Sequence, residues 1–161
     1  MLSRFLVLCL ACCLWAVSPL PSFAASPFAG TPPTNLGIQE DHLAPCPSSP
    51  NCVVSQGGDV DHQITPIPYE GDRQQAYEAL VNVLSVVPRT EIVTQTDYYL
   101  RAESHSRLFG FVDDVEFYLP ETKSVIHMRS ASRLGESDLG VNRRRLGQIR
   151  LALQDLGIAP N

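Results

Sequence analysis

From residue 63 onward, apolar positions recur with two different periods. "QITPIPY" (63–69) is apolar but carries Pro66 and Pro68. Proline cannot donate to a ladder, so this stretch can only be an edge strand. Next, Ala76, Tyr77, Leu80, Val83, Leu84 and Val87 recur at three-to-four spacing, the period of an amphipathic helix. Asp72 with Gln75 three residues on resembles a capping box at its start. Pro88 ends it, because the residue before a proline is pushed out of the helical region.

The period then drops to two. "TEIVTQT" and "YYLRAES" read as strands meeting at Thr96-Asp97; "FVDDVEFYL" and "SVIHMRSAS" read as strands joined by residues 120–123. A simple hairpin across that loop sets Leu119 opposite Ser124, Phe117 opposite Ile126 and Val115 opposite Met128. On the other face it sets Glu116 opposite His127 and Asp114 opposite Arg129, so apolar meets apolar and acid meets base. A one-residue slip would place Asp114 opposite Met128. Pairing 98–104 with 111–119 in the same spirit sets Leu100 beside Val115, Arg101 beside Asp114 and Tyr99 beside Glu116. One face is then a core of Val93, Leu100, Val115, Phe117, Ile126 and Met128. The other carries Tyr99, Arg101, Asp114, Glu116, His127 and Arg129. That polar face reads either as a solvated surface laced with weak ion pairs or as the lining of a cleft, with "HSRLFG" (105–110) as a flap.

The last helix is predicted between Asp138, a good N-cap, and Gly157, a good stop. Leu139, Leu146, Ile149, Leu153 and Leu156 form its apolar stripe. At about 100° per residue, Asn142 falls inside that stripe. Arg143 and Arg150 lie on one border, Arg145 on the other, and Arg144 points away. By parity Asp113 faces the core, near Ala102 and Ser130, and a buried carboxylate needs partners. A buried network of Asp113, Ser130, Asn142 and one of Arg143 or Arg145 supplies them. Its role is either to dock helix on sheet or, with Arg133 and Ser137 from the preceding loop, to bind a small anion at the helix start. The pattern as a whole predicts an α+β fold: a four- to five-stranded antiparallel meander with two helices packed on one face, in the order β-α-β-β-β-β-α.

Ahead of this lies a different composition. Arg4, an apolar run from Phe5 to Val17, Pro19 and Pro21, then Ser22-Phe23-Ala24-Ala25 follow the plan of a secretory signal peptide. Cleavage is expected after Ala24. The run is shorter than the roughly 20 residues of a spanning helix, so no stable transmembrane segment is expected after cleavage. Cys12 could instead accept lipid, but the apolar run continues past it, which disfavours that reading. Residues 25–60 are rich in Pro, Ser, Gly and Asn and read as an irregular lead-in to a single domain over 61–161. Cys46 and Cys52, the two cysteines left after cleavage, form an even pair at short spacing in an exported chain and read as a disulfide clip. A redox pair would want C-x-x-C spacing. Zinc would need more than these two with scattered His42 and His62.

Charge is uneven. The chain carries a formal net charge of −5, and the acidity is concentrated before residue 98. That argues against nucleic acid or anionic membrane surfaces as partners. Nearly all basic residues are Arg, which suits bidentate contacts to carboxylate or phosphate, although GC-rich coding would give the same bias.

Three blocks, "PCPSSPNCVVSQ", "FGFVDDVEFYL" and "RSASRLGESDLGVNRRRLGQIR", resemble the family known as domain of unknown function 1499, found in bacteria, cyanobacteria among them, and in plant plastids. The resemblance runs from about Leu43 to Leu156. It departs from the family's usual helix at Gly147, where an acidic residue is customary. It implies one domain with no established activity, carries no catalytic residue over, and makes a periplasm or thylakoid lumen a sensible location.

No catalytic, metal or cofactor motif stands in the sequence. The first functional expectation is a non-enzymatic binding or assembly module with a protein partner in the exported compartment. The second is a binder of a small apolar or anionic ligand at the sheet–helix junction. The third is a hydrolase drawing acid–base groups from Asp114, Glu116 and His127, for which no nucleophile with an oxyanion site is visible. The candidate binding residues are Asp113, Asp114, Glu116, His127, Arg129, Arg133, Ser137, Asn142, Arg143 and Arg145.

Overall fold

The computed structural model describes residues 26–161; the expected signal peptide, its cleavage point and Cys12 lie outside the described residues. The elements are β1 (Ile38–Gln39), β2 (His42–Leu43), β3 (Cys52–Val54), β4 (Ile67–Pro68), α1 (Arg73–Val86), β5 (Thr90–Gln95), β6 (Tyr99–His105), β7 (Val112–Tyr118), β8 (Val125–Ser132) and α2 (Val141–Asp155). The fold is α+β as expected, with more strands than the pattern suggested. A main antiparallel sheet runs β3-β8-β7-β6-β5, β4 pairs with the start of β8, and β1-β2 form a separate ribbon.

The two helices cover one face. α1 buries Ala76, Tyr77, Leu80, Val83 and Leu84. α2 adds Leu146, Ile149 and Leu153, which pack with Leu100, Val115, Phe117, Ile126 and Met128 of the sheet in one core. Asp72 caps α1 through a bond from the Gln75 amide (2.8 Å). Predicted β4 is an edge, as its prolines require. Three apolar positions fall elsewhere than expected. A bulge between Ile92 and Thr94 leaves Val93 as an extra residue on β5, so Val93 is exposed and Ile92 packs on the core instead. Leu139 sits ahead of α2 in the left-handed region (φ 54) and is solvent-exposed. Leu156 lies past the last turn and is exposed too.

Register is displaced by two residues at both predicted hairpins. β7 and β8 pair as Phe117↔Met128, Glu116↔Arg129 and Tyr118↔His127; β6 and β7 pair as Leu100↔Phe117, Arg101↔Glu116 and Ala102↔Val115. Hence Asp114 opposes Ala131, not Arg129, and Asp113 opposes Ser104 and Ser132. The ladder between β7 and β8 closes at Tyr118↔His127, so residues 119–126 form a longer connection than the tight turn of a simple hairpin; Val125 and Ile126 pair along their other edge with Pro68 and Ile67 of β4. A shift of two preserves parity, so each side chain keeps its predicted face.

The polar face is not open. The stretch read as an irregular lead-in first folds across the polar face as a strap and then contributes β3 to the sheet edge. Leu43, Val54, Tyr99 and Tyr118 form a second small core beneath it, with Ile38 and Cys46 against it. Cys46 and Cys52 are joined as a disulfide with Cα atoms 5.6 Å apart, which fastens the strap to β3. The molecule is therefore three layers: helices, sheet, strap.

Candidate functional site

Under the strap, the charged side chains of the polar face form two paired sets, one around Asp114 and one around Glu116. Asp114 and Glu116 are 1% and 0% exposed and Arg129 is 3% exposed. Arg133 presents its fork to Asp114, Nε donating to Oδ2 and Nη2 to Oδ1, both at 2.8 Å, the bidentate geometry that suits arginine. Arg101 Nη1 donates to Asp114 Oδ1 (2.8 Å) and Glu103 Oε1 (3.1 Å), and Arg133 also reaches Glu103. Glu116 accepts from Arg129 Nη1 (3.0 Å), the Tyr99 hydroxyl (2.8 Å) and the Gly37 amide of the strap (2.8 Å). Burial, reinforced by the Glu116 charge beside it, pushes the Tyr99 hydroxyl far above its usual range. The bond to Asp114 holds the Arg133 guanidinium more firmly protonated than usual.

A second network lies on the helix side. Arg145 Nη2 donates to Asp113 Oδ2 (2.6 Å) and Nη1 to Asn142 Oδ1 (2.7 Å) and Ser130 Oγ (3.1 Å). Ser130 Oγ donates to Asn142 Oδ1 (2.5 Å), and Asn142 Nδ2 donates to the Asn51 carbonyl and Ser132 Oγ, both at 3.0 Å. Of the two arginines considered, Arg145 closes this cluster. Arg143 instead clamps the 61–63 turn through the Asp61 and Gln63 carbonyls. Arg150 grips the adjoining Thr65 and Pro66 carbonyls, as their shared border on the helix implies. Asp138 acts from two residues before the Gly140 cap position, its Oδ2 accepting from the Asn142 amide (2.7 Å).

The candidate residues thus divide three ways. Asp113, Asn142 and Arg145 meet; on the opposite side of the sheet Asp114 pairs with Arg133 and Glu116 with Arg129; Arg143 and Ser137 join neither. Among the described residues Ser137 Oγ accepts the local Leu139 amide (3.3 Å), and Arg133 faces away from the helix start, so the two do not assemble there.

His127 belongs to a third place. It lines a cleft of about 710 Å³ between the β1–β2 ribbon, the β7–β8 turn and the first residue of α1. Tyr118 stacks on His127 (centroids 6.2 Å, planes 25° apart), and Tyr98 meets Tyr118 edge-on at 6.2 Å. The Tyr118 hydroxyl donates to Asp41 (3.0 Å). Arg73, Lys123 and His42 bring basic groups to the rim, and Asp41 and Glu121 acidic ones. Burial, with the Lys123 and His42 charges behind it, holds the His127 imidazole below its usual range, so at neutral pH it is uncharged. Ser55 Oγ lies 3.3 Å from His127 Nδ1, but the same oxygen accepts the Met128 amide (2.9 Å). A smaller groove of about 490 Å³ runs by the clip over Asp114, Arg129 and Arg133; Asp114 and Arg133 are paired there, while Arg129 Nε is buried without a hydrogen-bond partner.

Sequence reasoning did not find Tyr98, Tyr118, Lys123, Arg73 or the strap's His42 as neighbours of His127. The signal that could have was parity: Tyr118 and His127 share a face, and the correct register sets them opposite.

A family model for proteins of unknown function, DUF1499, matches residues 42–153. The chain belongs to this family. No curated protein and no solved structure matches it significantly. The DUF1499 match takes in β2, the clip, every strand of the main sheet, α1 and nearly all of α2. The clip suits an oxidising compartment. Among the described residues, no helix is long and apolar enough to cross a membrane.

Proposed function

We propose that this DUF1499 protein is an exported, non-enzymatic binding module whose ligand enters the cleft at Tyr98, Tyr118 and His127. The observation that carries this is the contrast between the two polar regions. The carboxylates that a hydrolase would use are saturated by arginines and shielded from solvent. The cleft, in contrast, is open, of a volume typical for small-molecule sites, and walled by stacked rings with Arg73 and Lys123 at its rim. That chemistry takes a planar or apolar body bearing an anionic group: the rings cover the body and the cations hold the charge. This is the small-ligand reading moved to a new place. The sheet–helix junction is filled by side chains at or near zero exposure and neither cleft is lined by α2.

The test is a thermal-shift and calorimetric screen with planar anionic compounds, each matched to a neutral analogue. Tyr98→Ala and Lys123→Ala are the informative variants, since both residues are solvent-exposed. Each is expected to weaken binding about tenfold, the loss of about 1.4 kcal/mol of contact, with the ligand-free melting temperature unchanged. Stabilisation by no compound class, or binding indifferent to both variants, would refute the assignment.

A further inference from the structure

At the end of the sheet away from the cleft, the hairpin tip between β6 and β7 carries Leu108 and Phe109, 82% and 58% exposed. This is not a loose loop. The Ser106 amide bonds the Phe111 carbonyl (2.8 Å) and the Phe111 amide bonds Ser106 Oγ (2.9 Å), which closes the tip. The Phe28 ring stands 6.1 Å from Phe109 and 5.3 Å from Phe111. Residues 26–30 lie flat between this tip and the loop after β8: a Cβ on Gly110 would meet Ser26 at 2.8 Å, and one on Gly30 would meet Arg133 at 2.8 Å. Both glycines have positive φ. That loop adds exposed Leu134, whose side chain lies against Gly30. A braced display of four exposed apolar side chains at one end, Phe28, Leu108, Phe109 and Leu134, is more than scattered surface hydrophobics require.

The chain's own order says what this end faces. Ser26 Oγ donates to the Phe109 carbonyl (2.7 Å), so the described chain begins at the tip. The apolar run Phe5–Val17 is only residues 18–25 away, a reach of at most about 27 Å. Whenever that run occupies a bilayer during export, the tip lies within that reach of the bilayer surface.

We propose that this end of the protein is a lipid-contacting face: Leu108 and Phe109 enter the apolar side of the headgroup region, and exposed Arg107 stays at phosphate level. The attraction is apolar insertion, not charge, in keeping with the acidic net charge. A long basic side chain beside apolar neighbours suits that depth.

The experiment is flotation of the chain from Ala25 to Asn161 with phosphatidylcholine vesicles. Both apolar cores are built from residues 38 to 159, so this chain holds every contact of the fold's interior. The unaltered chain is expected to float. Leu108→Ser and Phe109→Ser are each expected to lower partitioning about tenfold, and Leu108→Ser leaves the melting temperature unchanged. The chain's single tryptophan, Trp15, is absent from this form, so the indole introduced by Leu108→Trp reports position 108 alone. Its emission is expected to shift to the blue on vesicles and to be quenched by brominated acyl chains. Failure to float, flotation unchanged by Leu108→Ser, or an indole that stays in water would each overturn the proposal. So would binding confined to anionic vesicles and abolished by salt, or capture of a protein by the tip in place of lipid.

Discussion

Asp113 is the residue whose burial most needs explaining. It sits at 8% exposure on the helix side of β7, where a carboxylate without partners would cost several kcal/mol. Arg145 answers it from α2 with a 2.6 Å bond, and the same guanidinium also holds Asn142 and Ser130. Asn142 in turn reaches the Asn51 carbonyl beside the clip. Four segments, β7, β8, α2 and the clip loop, are therefore fixed relative to one another by one polar cluster. Asp113→Ala leaves Arg145 partly buried with an unpaired donor. The expected loss is about 1–3 kcal/mol, seen as a lower midpoint in denaturant with an unchanged slope. A neighbouring replacement that keeps the shape but not the charge, Asp113→Asn, is expected to lose less, since its amide oxygen still accepts. Identical unfolding curves for Asp113→Ala and the unaltered chain would mean the cluster orders the structure without stabilising it.

At the scale of the elements, period was a good guide and register a poor one. Both helices, the four long strands, the edge role of 63–69 and the faces of Leu100, Val115, Phe117 and Met128 were legible because alternation and three-to-four spacing report burial directly. Register was not, because a shift of two leaves every side chain on the same face, so alternation alone does not separate Phe117 opposite Ile126 from the observed Phe117↔Met128. The helix-side cluster was legible in Asp113, Ser130 and Asn142, with its arginine narrowed to Arg143 or Arg145, since Asn142 inside a leucine stripe and Asp113 on a core face each demand a partner. The cleft was not, because its roof comes from β1 and β2, two-residue strands too short to carry a period. One element departs from good local design. Gly147 lies inside α2, and a Cβ there meets nothing within 4 Å. Glycine in a helix interior costs about 0.8–1 kcal/mol relative to alanine, with no compensating contact here. Gly147→Ala is expected to raise stability by about that amount, and chemical denaturation resolves it. A destabilised Gly147→Ala would show that this position must stay bare for close approach by something outside the chain.

For the molecule as a whole, the strap decides the state of the sheet's charged face. Arg101, Arg129 and Arg133 are set against Glu103, Asp114 and Glu116, a balanced set whose desolvation must be offset by good geometry. In solvent such pairs would each contribute little; beneath the strap, removal of one partner leaves an uncompensated charge at a cost of about 3–5 kcal/mol. The strap's own contribution is the Gly37 amide on Glu116 and the apolar cover of Ile38 and Leu43 over Tyr99 and Tyr118. Tyr99 reports whether that cover is closed. Its hydroxyl is raised by burial first and by Glu116 second, so the folded state holds this proton where an unfolded chain releases it. A raised pKa contributes stability that is complete below the unfolded value of about 10 and is lost as pH rises above it. The intact protein should therefore lose stability on the alkaline side of about pH 10, with Tyr99 absent from the ultraviolet titration until unfolding. Removing residues 26–41 takes away the Gly37 bond and the β1 side of the cover. Tyr99 is then expected to titrate nearer its ordinary range, the alkaline loss to flatten, and overall stability to fall. An unchanged tyrosine titration in the shortened chain would mean that β3 and the sheet alone keep the face dry, and that the strap serves the cleft instead of the network.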